Sequence, residues 1–141
     1  WCYGDLGVAF AIYAAARTRH RDDWRDHALD LARCVARRSR ADSRVVDAGL
    51  CHGAAGNAHL FNRLFQATGD DEFRVAALTW FDDVLALRRP DGVAGFAAAG
   101  DHGWEPATDL LNGAIGIALA LQAAISDVEP AWDRILVADV Y

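Results

Sequence analysis

A six-residue frame, Gly-x-x-Gly-x-Ala, occurs three times in this chain: Gly4-Asp5-Leu6-Gly7-Val8-Ala9, Gly53-Ala54-Ala55-Gly56-Asn57-Ala58 and Gly113-Ala114-Ile115-Gly116-Ile117-Ala118. Spacings of 49 and 60 residues between frames are those of helical-repeat or array architectures. In two copies a cysteine stands two residues ahead of the first glycine, Cys2 and Cys51, whereas the third has Leu111 at that place. Frame and thiol are therefore separable. The frame reads as architecture, and Cys2, Cys51 and the adjacent His52 read as chemistry.

Each unit reads as a pair of helices. The helix after each frame is apolar almost all round (Val8-Ala9-Phe10-Ala11-Ile12-Tyr13, Ile117-Ala118-Leu119-Ala120-Leu121), as expected of an inner element with protein on every side. The second helix of a unit is amphipathic: Trp24, Ala28, Leu31, Ala32 and Val35 recur at helical spacing opposite Arg25, Asp26, Asp30, Arg33 and Arg37. The next unit repeats the scheme with Phe73, Ala77, Trp80 and Val84, Asp70 is its expected N-cap, and the helix stops at Pro90-Asp91-Gly92. Beta-branched alternation is almost absent, so the chain is read as all-α. The polar connection from Arg40 to Ala48 and the Gly-rich one from Pro90 to Ala107 are expected to gather on one face and border a site.

At 141 residues the chain has the size of one domain with enough apolar content for a core. It contains no methionine and begins at Trp1, so a piece of a longer product is expected. A net charge of −6, with Arg interspersed among Asp, argues against a nucleic-acid surface. The longest apolar stretches, Leu6 to Ala16 and Ala114 to Ile125, fall short of the roughly 20 residues a membrane span takes. Three cysteines do not make a secreted disulfide framework, and a reducing cytoplasm is the simplest setting.

If the inner helices stand side by side, Cys2 and Cys51 meet at one end of neighbouring helices and His52 comes with them. Two thiolates and an imidazole suit zinc, and three protein ligands leave the fourth tetrahedral position open, as in catalytic sites. Such a site presents a substrate thiolate as a nucleophile, because a coordinated thiol is deprotonated at neutral pH. The blander alternative is a pair of buried cysteines beside a helix-capping glycine. Tyr3, next to Cys2, is a candidate for hydrogen bonding to substrate, or else a packed aromatic. His59, two turns beyond His52, is a candidate for the wall of a central cavity, or else a core residue. Cys34 reads as a small hydrophobe in an outer helix, His20, His27 and His102 as solvated, and Asp5 and Asp109 as serving helix N-termini. The frames lack the lysine and strand of a phosphate loop.

Trp1-Cys2-Tyr3-Gly4, Cys51-His52-Gly53-Ala54-Ala55-Gly56, Leu110-Leu111-Asn112-Gly113-Ala114-Ile115-Gly116-Ile117-Ala118-Leu119 and Trp132-Asp133-Arg134-Ile135-Leu136, in this order, resemble the C-terminal part of a lanthionine synthetase C-like cyclase. The resemblance runs from end to end of the chain. It implies that residues 1–141 are the C-terminal portion of a single α/α toroid domain, here an incomplete ring of about three helical-hairpin repeats. Tyr3 after the first cysteine is more similar to stand-alone cyclases than to fused synthetases. The resemblance implies Cys2, Cys51 and His52 as ligands of Zn2+, and a leader-bearing precursor peptide with dehydrated Ser and Thr as substrate. The implied reaction is addition of a peptide cysteine to dehydroalanine or dehydrobutyrine, giving the (methyl)lanthionine rings of lanthipeptides and lantibiotics, with a dehydratase and an exporter as further partners. The family's acid and base, a histidine and an aspartate upstream of the zinc cysteines, fall outside this chain. Two alternatives stand beside the cyclase: a thiol- or glutathione-binding module of the same fold without cyclase activity, and a scaffold whose zinc has four protein ligands.

Overall fold

The computed structural model describes residues 1–2 and 4–140. Five α-helices carry the fold: α1 (Asp5–Arg19), α2 (Asp22–Ala36), α3 (Ala54–Thr68), α4 (Asp71–Ala86) and α5 (Ala114–Ile125). Short 3-10 helices cover Ala41–Ser43 and Ala131–Leu136. Helix α1 packs on α2 and α3 on α4, giving two hairpins. The inner helices α1, α3 and α5 follow one another side by side, with α2 beside α4 outside them. The third unit consists of α5 and the 3-10 helix that follows, so the arc holds two full hairpins and a third inner helix.

The frame explains this packing. Its first glycine, Gly4, Gly53 or Gly113, is the extended residue immediately before each inner helix. Its second glycine lies in the first turn, pressed onto the backbone ahead of the helix. A Cβ at Gly7 would collide with the carbonyl oxygen of Trp1, one at Gly56 with that of Leu50, and one at Gly116 with that of Leu110. Those three residues occupy the same slot of the three frames. One close approach, made three times, fixes how the incoming loop crosses each helix start.

Helix α3 is the centre of the arc and is buried on nearly every side, through Ala54, Ala55, Ala58, Leu60, Phe61 and Leu64 among others. Phe61 meets Phe73 of α4 with ring centroids 6.2 Å apart. Complete burial of such a side chain contributes about 1.5–3 kcal/mol. The expectation of protein on every side holds for α3 and not for α1 and α5, where Val8, Ile115 and Ile125 are 52%, 54% and 88% exposed. Each of those helices has one inner neighbour where α3 has two. Helix α4 starts as expected, with the Asp70 carboxylate accepting the N–H of Glu72 at 2.9 Å. Ion pairs Arg33–Asp70 (3.0 Å), Arg37–Glu72 (2.7 Å) and Arg40–Asp83 (2.8 Å) join the outer layer.

The fold is all-α as expected, with one small two-stranded addition in the Gly-rich connection. Residues Ala98–Gly100 (β1) and Gly103–Glu105 (β2) pair antiparallel, Ala99 opposite Trp104, around Asp101-His102. Gly103 takes a φ of 115°, which glycine adopts at no steric cost and which closes the turn. Strands of three residues, exposed through β2, bury no face, so they leave no alternating pattern in the sequence. Among the described residues no helix is long and apolar enough to cross a membrane.

Candidate metal centre

The loops that enter the inner helices are stitched to one another by one repeated hydrogen bond. The N–H of Cys2 donates to the carbonyl of Cys51 at 3.3 Å, and the N–H of Cys51 donates to the carbonyl of Leu111 at 2.8 Å. Leu50 N–H shares that Leu111 carbonyl, also at 2.8 Å. Equivalent positions of the three frames therefore lie in a row. The Sγ atoms of Cys2 and Cys51 face each other at 3.0 Å, with the Cys51 thiol donating. His52 follows Cys51 on the exposed side, and one donor atom from each of Cys2, Cys51 and His52 lies within 4.8 Å of the other two. The three residues that the sequence singles out as ligands are thus brought together.

This donor set fits a zinc ion. Donors of a tetrahedral zinc, bonded at about 2.0–2.3 Å, stand roughly 3.5–3.8 Å apart. The sulfurs, 3.0 Å apart, stand slightly closer than that, and all three donor atoms lie within 4.8 Å of one another. Both cysteines are half-buried and neither is in a disulfide. Burial, the hydrogen bond to the Cys2 sulfur and the proximity of that second thiol push the Cys51 thiol up to about 11. Two thiols at this distance resist ionising together, and a divalent cation between them removes that resistance.

Beside Cys2 opens a cavity of about 420 Å³, walled by Trp1, Val8, Phe10 and Leu136 among others. Trp1 closes one side, its indole N–H donating to the Leu136 carbonyl. The polar connection after α2 and the Gly-rich connection meet each other, but neither supplies a residue to this cavity, so the expectation that both border a site is not met there. They are joined by Asp47, a residue that the sequence reading passed over. One Asp47 oxygen accepts the N–H of Gly49 and the other that of Ala99, both at 3.0 Å. Asp109 accepts the N–H groups of Leu111 and Asn112 at 2.9 Å, organising the turn ahead of α5, and Asp5 lies in the first turn of α1 and pairs with Arg38.

The other candidates lie elsewhere. Tyr3 falls outside the described residues. His59 does not line an open cavity, because residues 129–136 cover that face of α3. It is 1% exposed, its Nε2 is 3.1 Å from Asp133 Oδ2, and its ring centroid lies 4.7 Å from that of Trp132. Arg63, one turn on, meets the same Asp133 oxygen at 2.9 Å and also pairs with Glu129. Cys34, expected to pack as a small hydrophobe, is exposed on α2. His20, His27 and His102 are exposed.

The sequence pattern of a known family matches the chain. The family described as lanthionine synthetase C-like protein matches residues 1–137, which carry all three frames and all three donors. The chain belongs to the lanthionine synthetase C-like family. Among curated proteins it is similar to the protein named glutathione S-transferase LANCL1 of Danio rerio, 30% identical over 82 residues. That match covers 58% of this chain and 20% of the relative, so the chain aligns with about a fifth of that relative's length. No solved structure is matched.

Proposed function

We propose that Cys2, Cys51 and His52 are the protein ligands of a zinc ion, and that the chain is the metal-bearing part of a thioether-forming peptide cyclase. The observation that carries this reading is the convergence of the three donor atoms within 4.8 Å, produced by two aligned frames. Bound there, zinc would supply the Lewis acidity that keeps a substrate thiol deprotonated at neutral pH. Cys2 and Cys51 contribute two negative charges and His52 none, so the protein neutralises a divalent ion and leaves an incoming sulfur electron-rich.

The reaction is addition of a peptide cysteine across the Cα=Cβ bond of dehydroalanine or dehydrobutyrine. The S–Cβ bond forms, the π electrons move towards Cα and its carbonyl, and a proton returns to Cα. The product is lanthionine or methyllanthionine, with no net change in mass. Apolar walls from Trp1, Val8 and Phe10 offer a place for a substrate side chain beside Cys2. The partners that go with this reading are a dehydrated precursor peptide with its leader, a dehydratase and an exporter, in a cytoplasm that keeps thiols reduced.

A second reading is favoured by one observation, the name of the Danio rerio relative, a glutathione S-transferase. In it the site takes glutathione as the thiol and makes no ring. Thiol counting separates the two. A dehydrated, cysteine-containing peptide incubated with a zinc-loaded cyclase that joins this chain to the family's upstream acid and base keeps its mass and loses one alkylatable thiol per ring if the cyclase reading holds, and Cys51→Ala abolishes that loss. Retained peptide thiols together with zinc-dependent consumption of glutathione by an electrophile favour the second reading. Neither activity, with zinc held by a fourth protein ligand, contradicts both.

A further inference from the structure

Asp47 is 2% exposed, and both of its carboxylate oxygens are occupied by backbone N–H groups. A buried carboxylate persists where such donors meet it, and these two come from segments 50 residues apart in sequence, Gly49 and Ala99. Gly49 lies two residues before Cys51. Around it the backbone is already crowded: the Asp47 carbonyl accepts the N–H of Ala54 at 2.9 Å, and the Gly49 carbonyl accepts that of Gly56 at 3.3 Å. Ala99 lies in β1, whose three-residue pairing with β2 is too short to stand by itself. The carboxylate therefore joins the cysteine-bearing loop to the hairpin.

We propose that Asp47 is a positioning residue for Cys51, its carboxylate clamping the Cys51-His52 loop onto the hairpin of residues 98–105 so that the Cys51 sulfur is held opposite that of Cys2. The consequence for metal binding rests on the zinc reading above, whereas the clamp is a property of the metal-free chain. Outer partners that orient metal ligands typically set affinity by about 10–100-fold. Asp47 acts at one remove further, through the backbone that carries the ligand, and its loss frees the loop and the hairpin together.

The test uses Asp47→Asn in the intact chain, which keeps the size of the side chain and removes one of the two acceptors. Asp70→Asn, at the start of the outer helix α4, serves as a control for general loss of stability. Zinc affinity is read by competition with a chromophoric chelator, and ligand geometry by the thiolate absorption bands of the cobalt-substituted protein. In the metal-free protein, the rate of Cys2–Cys51 disulfide formation with diamide reports how well the sulfurs are held together. Asp47→Asn is expected to weaken zinc binding by about 10–100-fold, to shift the cobalt bands, and to slow disulfide formation by roughly tenfold or more. Asp70→Asn is expected to do none of these.

An unchanged disulfide rate in folded Asp47→Asn overturns the clamp. A parent protein that takes up no zinc while Asp47→Asn still slows disulfide formation leaves the clamp standing and overturns the zinc reading instead. If Asp47→Asn does not fold, Ala99→Pro removes the N–H donated to Asp47 without touching the carboxylate. It is expected to shift both readouts in the same direction, and unchanged values overturn the clamp.

Discussion

The backbone N–H of Cys2 donates to the carbonyl oxygen of Cys51 at 3.3 Å, and the bond recurs one unit later, from Cys51 to Leu111 at 2.8 Å. The proximity of the two thiols thus follows from repetition. Frames of one geometry, laid side by side and stitched at one position, bring whatever residues occupy that position into a row. Two of the three places in the row hold sulfur, and the third holds leucine.

Replacing Leu111 by cysteine should therefore extend the row. Leu111 is 37% exposed, so a smaller thiol there leaves the core intact. The expected outcome is a closed site of three sulfurs and one nitrogen, with zinc held more tightly and reaction of an added thiol suppressed. Cobalt spectra with and without that thiol check this. A site that still admits it contradicts the row.

Gly56→Ala and Gly116→Ala each place a methyl group on a carbonyl oxygen, of Leu50 and Leu110 respectively. Overpacking of this kind costs about 1–3 kcal/mol. Urea unfolding of each variant should show a loss in that range, and a neutral result at both sites would mean that the frame is not the packing element described.

Asp133→Ala removes the carboxylate that both His59 and Arg63 approach inside the core. Arg63 is 1% exposed, and losing one of its two carboxylate partners costs up to about 3–5 kcal/mol, the figure for breaking a buried pair outright, because only Glu129 then compensates the charge. Thermal melts at pH 7 should show a large loss of stability. A change below about 1 kcal/mol contradicts the assignment of this cluster as the anchor of the closing segment.

Cys51 sets a pH dependence with a definite sign. Its thiol is pushed up from 9.0 to about 11, chiefly by burial. The folded chain keeps a proton that the unfolded chain releases near pH 9. Its contribution to stability is therefore intact below about pH 9 and lost as pH rises towards about 11. In the metal-free protein, alkylation of Cys51 should rise about tenfold per pH unit through the neutral range. Zinc affinity should rise with pH too, since binding expels the proton. Alkylation that already levels off at pH 8 contradicts the raised value.

The frames were legible because repetition needs no knowledge of long-range contacts: the same two-residue offset from Gly4 and from Gly53 places Cys2 and Cys51 alike. The Asp70 cap was legible for the same reason, its partner Glu72 lying two residues away. Contacts between distant segments left no local mark. Asp47 meets Ala99 and His59 meets Asp133 across 52 and 74 residues, and an isolated Asp in a polar loop resembles any turn residue. The exposed flanks of α1 and α5 escaped notice because periodicity reports how apolar a helix is and leaves open which neighbours cover it. Cys34 shows the same limit at one residue, an apolar thiol left on the outside of α2.

The most direct test is the amount of zinc carried per chain, measured by elemental analysis on the purified protein and on Cys51→Ala prepared identically. The account predicts close to one zinc per chain in the parent and almost none in the variant. A folded parent without zinc, or a variant that retains it, contradicts the assignment of Cys2, Cys51 and His52 as the metal centre.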